Sequence, residues 1–145
     1  ILVGDADKDN PMSIPISTIM QWTNEAYVAW EGHCNDMPKK LSDASIVCLP
    51  SYREGLPKVL LEAAAIGRPL IGTDVPGIRS IISHKKNGLL VDDNPSSLKK
   101  CILDILSDNK LRDTLVENAI EHIKTNNSLE NAITKEFYAY SECLK

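Results

Sequence analysis

The stretch that decides the fold is residues 45–73, which are SIVCLPSYREGLPKVLLEAAAIGRPLIGT. The apolar runs at 45–49 and 69–73 each predict a buried strand. Between them, residues 57–66 have the apolar spacing of a helix, with Pro57 in its first turn and Gly67 just after its end. A strand, a helix and a second strand in this order indicate a parallel sheet flanked by helices.

The same alternation continues on both sides of this stretch. Further short strands are predicted at 1–3, 27–30 and 89–91, and helices or helical turns at 16–24, 38–41 and 77–82. After Asp92 the pattern is helical, with segments at 96–106, 110–125 and 129–144. We therefore predict an α/β fold, a Rossmann-like parallel sheet flanked by helices, with a helical C-terminal tail.

Composition places the chain among soluble globular proteins. Its 145 residues suit one domain, and its 43% hydrophobic and 25% charged residues are ordinary proportions. A net charge of −4 without a basic cluster argues against a nucleic-acid partner. Because no apolar run is long enough to span a membrane and no secretory leader is recognised, we expect a cytoplasmic protein.

The cysteines give no sign of a metal site. They are scattered along the chain without a C-x-x-C pair, at Cys34, Cys48, Cys101 and Cys143. This spacing disfavours zinc and predicts reduced thiols, with Cys48 buried in its strand. We predict that the protein requires no metal and no other cofactor.

Two glutamates are the candidate binding groups. Glu54 and Glu62 lie eight residues apart across the predicted junction of strand and helix, a rise of ~12 Å if every step were helical. That length is about the span of a sugar diphosphate plus ribose. Gly55 lets a phosphate approach the backbone, and the helix start offers unpaired N–H groups and a positive dipole end. Taken alone, Glu62 is typical of a solvated charge with Lys58 as its partner, and Glu54 is typical of a cap or dipole partner of the helix that follows it.

The motif resembles the signature of family 4 glycosyltransferases. The run LPSYREGLP at 49–57 carries the resemblance, and LEA at 61–63 continues it. Weaker likeness extends to residues 4–5, 30–32, 73–79 and 87–91. Enzymes of this family have two Rossmann-like domains, the GT-B fold, and retain the anomeric configuration. The chain resembles their C-terminal, donor-binding half, and is most similar to bacterial capsule and O-antigen enzymes.

The resemblance implies a role for individual residues. Glu54 would be the catalytic residue that contacts and orients the donor sugar. The residues implied at the sugar and diphosphate are Glu54, Gly55, Leu56 and Pro57. The residues implied at the nucleotide are Gly32, His33, Val59 and Glu62.

The chain departs from the family pattern in two respects. Ser80 stands where the family commonly has a glutamate after the arginine at 79, and the family's phosphate-binding arginine and lysine belong before Ile1. The nearby cations are Arg53, Lys58 and Arg79. We therefore expect residues 1–145 to be one nucleotide-sugar-binding domain, incomplete at its N terminus and without the N-terminal acceptor domain, that binds donor weakly and does not turn it over.

Three functions remain open on the sequence alone. The resemblance implies the donor-binding half of an enzyme that transfers sugar from a nucleotide diphosphate to a bacterial surface-polysaccharide or lipid-linked glycan acceptor, at the inner face of the plasma membrane. The alternative is a non-catalytic fragment, or half of a split enzyme that binds nucleotide or docks with a separate N-terminal domain. The third is a regulatory or epimerase-like nucleotide-binding domain. An apolar strip on the last predicted helix, with Phe137, Tyr138 and Tyr140, would favour self-association.

Overall fold

Helices and strands alternate along the chain. The computed structural model describes residues 1–7 and 13–126 and gives α1 Ile16–Asn24, α2 Met37–Asp43, β1 Val47–Leu49, α3 Lys58–Ala65, β2 Leu70–Thr73, α4 Pro76–Arg79, β3 Leu89–Val91, α5 Pro95–Ser107 and α6 Asn109–Asn126. Ile1–Lys40 form one unit, and the second begins at Leu41. The predicted helix at 129–144, with the self-association assigned to it, lies outside the described residues.

The second unit is built on a parallel sheet. Its three strands have the order β1-β2-β3, with Val47 level with Leu70 and Ile71 level with Leu89. Parallel neighbours need a crossover connection, which contains α3 between β1 and β2 and α4 between β2 and β3. The predicted α/β fold with helices around a parallel sheet is confirmed.

Helices cover both faces of the central strand, β2. Ile71 belongs to a buried cluster with Leu89 of β3 and Ile105 of α5. The next residue, Gly72, faces the other way, and a Cβ there would lie only 2.6 Å from Cγ2 of Ile78 in α4. The missing side chain at Gly72 therefore lets α4 pack directly on the strand.

α3 begins and ends within one or two residues of its prediction. Pro57 occupies the N-cap, with φ −73° and ψ 99°, so the helix begins at Lys58 rather than including Pro57 in its first turn. Gly67 has φ +77°, a left-handed conformation that ends helices and that glycine adopts without strain. Leu60 and Ala63 are fully buried, and this apolar face holds α3 against the sheet.

Two side chains fix the turn that leads into β3. Asn87 is buried: its Oδ1 accepts a hydrogen bond from the Ser83 amide at 2.7 Å, and its Nδ2 donates to the Ile81 carbonyl at 2.9 Å. Within β3 itself, the Leu90 amide donates to Nδ1 of His84 at 2.9 Å. The turn and the strand that follows it are therefore held by side chains as well as by backbone.

The strands predicted at 1–3 and 27–30 are wrong as continuous strands. In the first unit the two segments meet in one parallel bridge, between Leu2 and Trp30. The Leu2 amide donates to the Ala29 carbonyl, and the Gly4 amide donates to the Gly32 carbonyl, each at 2.7 Å. Gly4 has φ +123° and Gly32 has φ +64°, so the extended conformation stops at both glycines and the ladder cannot lengthen.

β1 is also shorter than predicted. It covers Val47–Leu49 instead of 45–49, and Val47 is its buried residue. Cys48 is exposed, so the expectation of a buried thiol there is wrong, because neighbouring strand residues point to opposite faces. Over the described ranges, no helix has the length and apolar character needed to cross a membrane.

Candidate functional site

Six of the eight predicted site residues lie on one loop and the helix after it. We call residues 51–57 the junction loop; it follows the carboxyl end of β1 and leads into α3. Parallel α/β sheets bind ligands at this end of their strands. Within the loop, Glu54 is half-buried, Gly55 and Leu56 are exposed, and Pro57 is buried. The loop thus combines a partly shielded carboxylate with accessible backbone.

Neither the N-cap residue nor the first turn of α3 neutralises the start of the helix. The N-cap residue, Pro57, makes no side-chain hydrogen bond, and the first turn contains no acidic residue. The first-turn amides of Lys58 and Val59 therefore have no acceptor from the N-cap side chain, and they lie at the positive end of the helix dipole. An arrangement of this kind favours an anionic group such as a phosphate.

Gly55 leaves open space beside the junction loop. A Cβ built at this position would meet no atom within 4 Å. Its φ is also not among the positive values found at Gly4, Gly32 and Gly67, so the backbone does not demand glycine here. Neither packing nor conformation explains the residue, and the free space is what a ligand approaching the backbone needs.

Glu62 is exposed on α3, and it does not pair with Lys58. The salt bridges of the described residues include neither side chain, so the pairing that would explain Glu62 as an ordinary surface charge is not formed. The eight steps from Glu54 to Glu62 are not all helical, because α3 begins at Lys58. Only the last four steps follow the helix, a rise of about 6 Å.

The guanidinium of Arg79 is paired with the carboxylate of Asp74. Arg79 Nε lies 2.6 Å from Oδ1 of Asp74, and Nη2 donates to the Asp74 carbonyl at 3.0 Å. The hydrogen bond and the charge of Asp74 raise the pKa of the Arg79 guanidinium above its ordinary value. Arg79 therefore closes the turn after β2, whereas Arg53 and Lys58 are exposed beside the candidate site.

Sequence reasoning missed two residues that contact the junction loop. The Thr73 hydroxyl donates to the Ser51 carbonyl, and Gly77 lies against the backbone of Glu54 and Gly55. These contacts join segments about twenty residues apart, and no local pattern reveals them. Nearby, the Ser80 hydroxyl donates to the Gly77 carbonyl at 2.7 Å.

The remaining two predicted residues belong to the first unit. Gly32 has φ +64°, and a Cβ there would lie 3.5 Å from Oδ1 of Asp5. His33 is exposed. Their placement near a nucleotide base stays a prediction. Among residues 1–7 and 13–126, no three His, Cys, Asp or Glu side chains form a cluster suited to a metal ion.

A cavity of about 530 Å³ in the second unit lies elsewhere, beside β3 and α5. Its charged lining mixes carboxylates with cations: Asp74, Asp92 and Asp104 with Lys85 and Lys100. None of the predicted donor-binding residues lines it. Because the mixed charges give no preference for an anion, we place the candidate site at the junction loop and not in this cavity.

Both sequence and fold match glycosyltransferases. The family model described as glycosyl transferases group 1 matches residues 17–122, and the chain belongs to this family. One relative with a similar sequence is the N,N'-diacetylbacillosaminyl-diphospho-undecaprenol alpha-1,3-N-acetylgalactosaminyltransferase from Campylobacter jejuni. It is 33% identical over 122 residues, which are 83% of this chain and 31% of that enzyme.

Solved glycosyltransferase structures have the same fold. The Anabaena protein HepE, solved in complex with UDP, aligns with a TM-score of 0.82 and 23% identity over 96% of this chain and 40% of its own. Sucrose-phosphate synthase from Thermosynechococcus elongatus aligns with a TM-score of 0.82 and 25% identity over 99% of this chain and 38% of its own. The prediction of the C-terminal half of a GT-B fold is confirmed. The chain spans well under half the length of each of these three proteins.

Proposed function

We propose that this chain is the donor-binding domain of a retaining glycosyltransferase, and that it binds a nucleotide-diphosphate sugar at the junction loop and α3. The observation that carries the proposal is the uncapped start of α3 beside the open backbone of Gly55, with Glu54 before it and Glu62 after it. Membership in the glycosyl transferases group 1 family supports the same assignment.

Each part of the site has a distinct task in the proposed reaction. Glu62 accepts hydrogen bonds from the two ribose hydroxyls and so fixes the nucleotide. The α3 amides and the Gly55 backbone receive the diphosphate, whose negative charge grows as the bond to the sugar breaks. Glu54 accepts hydrogen bonds from the sugar hydroxyls and holds the anomeric carbon in the orientation for transfer. This donor site uses no metal and no further cofactor.

The acceptor we propose is a lipid-linked or surface-polysaccharide glycan of a bacterium, at the inner face of the plasma membrane. The Campylobacter relative supports this class, since its name specifies a diphospho-undecaprenol acceptor. Transfer also needs an acceptor-binding domain. We propose that an N-terminal GT-B domain supplies it, either in the same polypeptide or as a separate chain that docks with this one.

The proposal is tested by titrating the chain with nucleoside diphosphates and their sugar derivatives and measuring the heat of binding by calorimetry. Glu62→Ala should lower the affinity for the nucleoside diphosphate itself by about tenfold or more, the loss expected for hydrogen bonds to a charged group. Glu54→Ala should leave the nucleoside diphosphate unchanged and remove the additional affinity that the sugar provides. The split between the two ligands assigns each glutamate to one end of the donor.

The matched control is Glu117→Ala, which removes an exposed helical glutamate on α6, outside the site. It should bind every ligand as the parent chain does. If Glu54→Ala and Glu62→Ala also match the parent for every nucleotide and nucleotide sugar, the site assignment is refuted.

A further inference from the structure

We propose that Thr73 and Gly77 are positioning residues that set the backbone of the junction loop in its donor-binding conformation. This inference rests on the proposed function, because it deepens the account of the same site. Neither residue lies in the motif that identifies the site. Both act through the loop, and neither needs to touch the donor.

Gly77 is required by the space that the loop occupies. A Cβ on Gly77 would lie 2.6 Å from the carbonyl carbon of Glu54 and closer still to the carbonyl oxygens of Glu54 and Gly55. These are backbone atoms, so no side-chain rotation can relieve the clash. The φ of Gly77 is not among the positive values of the described glycines, so its requirement is steric and not conformational.

Thr73 holds the first residue of the loop. It lies at the carboxyl end of β2 with 5% of its surface exposed, and its hydroxyl donates to the Ser51 carbonyl. The Ser51 hydroxyl in turn donates to the Arg53 carbonyl at 3.2 Å. Because Thr73 fixes residue 51 and Gly77 admits residues 54 and 55, the segment from β2 to α4 supports the loop at two separate points.

The two supports determine where the donor-binding groups of the loop lie. The carboxylate of Glu54 and the open backbone of Gly55 are useful only in one position relative to the start of α3. A loop displaced by about 1 Å loses hydrogen bonds whose geometry tolerates little error. The affinity contributed by the sugar end of the donor should therefore depend on residues 73 and 77. The affinity contributed by the nucleotide end, which Glu62 binds on the helix, should depend on them much less.

The test compares Gly77→Ala and Thr73→Val with the parent chain and with the control Gly88→Ala. Gly88 is also buried and crowded, with Cγ2 of Ile82 at 3.0 Å and the Leu70 carbonyl oxygen at 3.1 Å from a built Cβ, but it does not approach the loop. The rate of trypsin cleavage after Arg53, the exposed arginine of the junction loop, is measured without ligand. Titrations then give the affinities for a nucleoside diphosphate and for its sugar derivative.

Both positioning variants should be cleaved faster after Arg53, because a loop without its supports opens more often. They should also bind the nucleotide sugar about tenfold more weakly, the loss of one hydrogen bond to a charged group. Their affinity for the nucleoside diphosphate should change less than about threefold. Gly88→Ala should lower stability while leaving cleavage after Arg53 and the ratio of the two affinities unchanged. Thr73→Val keeps the shape of the side chain, so it carries the test even if Gly77→Ala does not fold.

Cleavage after Arg53 at the parent's rate in Thr73→Val, or an unchanged affinity ratio despite faster cleavage, would overturn the inference. A parent chain that binds no nucleotide sugar would instead count against the proposed function. In that case the cleavage experiment still decides whether Thr73 and Gly77 set the loop, so the two failures are distinguishable.

Discussion

Replacing Leu60 by alanine should lower the free energy of unfolding by about 2–5 kcal/mol, because the change removes buried methyl groups and leaves a cavity. Leu60 is one of the largest fully buried side chains in the described part of the chain, with no surface exposed. It lies on the inner face of α3, between the N-cap Pro57 and the exposed Glu62. Urea denaturation followed by circular dichroism measures the loss.

The control for this prediction is Leu103→Ala. Leu103 is the same residue type in a helix, α5, but 52% of its surface is exposed. Its truncation should change the free energy of unfolding by no more than about 0.5 kcal/mol. Equal effects at the two leucines would mean that α3 is not packed on the sheet as described.

Asn87→Ala should cost about 2–3 kcal/mol of unfolding free energy, because it leaves a buried carbonyl and a part-buried amide of the backbone without partners. The residue is 3% exposed, and its side chain satisfies both the Ser83 amide and the Ile81 carbonyl. Replacement by alanine removes both hydrogen bonds and admits no equivalent group. Thermal or urea unfolding of the variant gives the magnitude.

Asn118→Ala provides a matched comparison on the same turn. The Asn118 side chain also donates to a backbone carbonyl, that of Lys86, at 2.7 Å, but its residue is exposed. Water can replace that bond, so the expected loss is below about 1 kcal/mol. A loss at Asn87 no larger than at Asn118 would contradict the view that burial makes the Asn87 contacts valuable.

Local signals predicted the elements whose ends are set by local chemistry. The helix expected at 16–24 matches α1, and the proline and glycine around the motif bracket α3 to within one or two residues. The strand expected at 89–91 matches β3. The end of α3 shows the reason: Gly67 takes a left-handed conformation there, and the glycine that permits it is visible in the sequence itself.

Elements whose extent depends on a distant partner were less predictable. The predicted strand at 45–49 is reduced to β1, Val47–Leu49, the three residues that pair with β2, and the single bridge between 1–3 and 27–30 ends at the positive-φ glycines Gly4 and Gly32. The contacts of Thr73 and Gly77 with the junction loop likewise arise only once β1 and β2 lie side by side. Glu54 and Glu62 could be selected from their motif, but the supports of the loop could not.

The imidazole of His84 bears on whether a strand of another molecule can add to the sheet at β3. In the described part of the chain, β3 is one of the two outer strands of the three-stranded sheet, and such strands invite pairing with strands of other chains through their unpaired backbone donors. The Leu90 amide is already bound to Nδ1 of His84, and β3 has only three residues. A foreign strand would have to displace this ring before it could bond to the Leu90 amide, so one of the donors that edge-to-edge pairing needs is already taken.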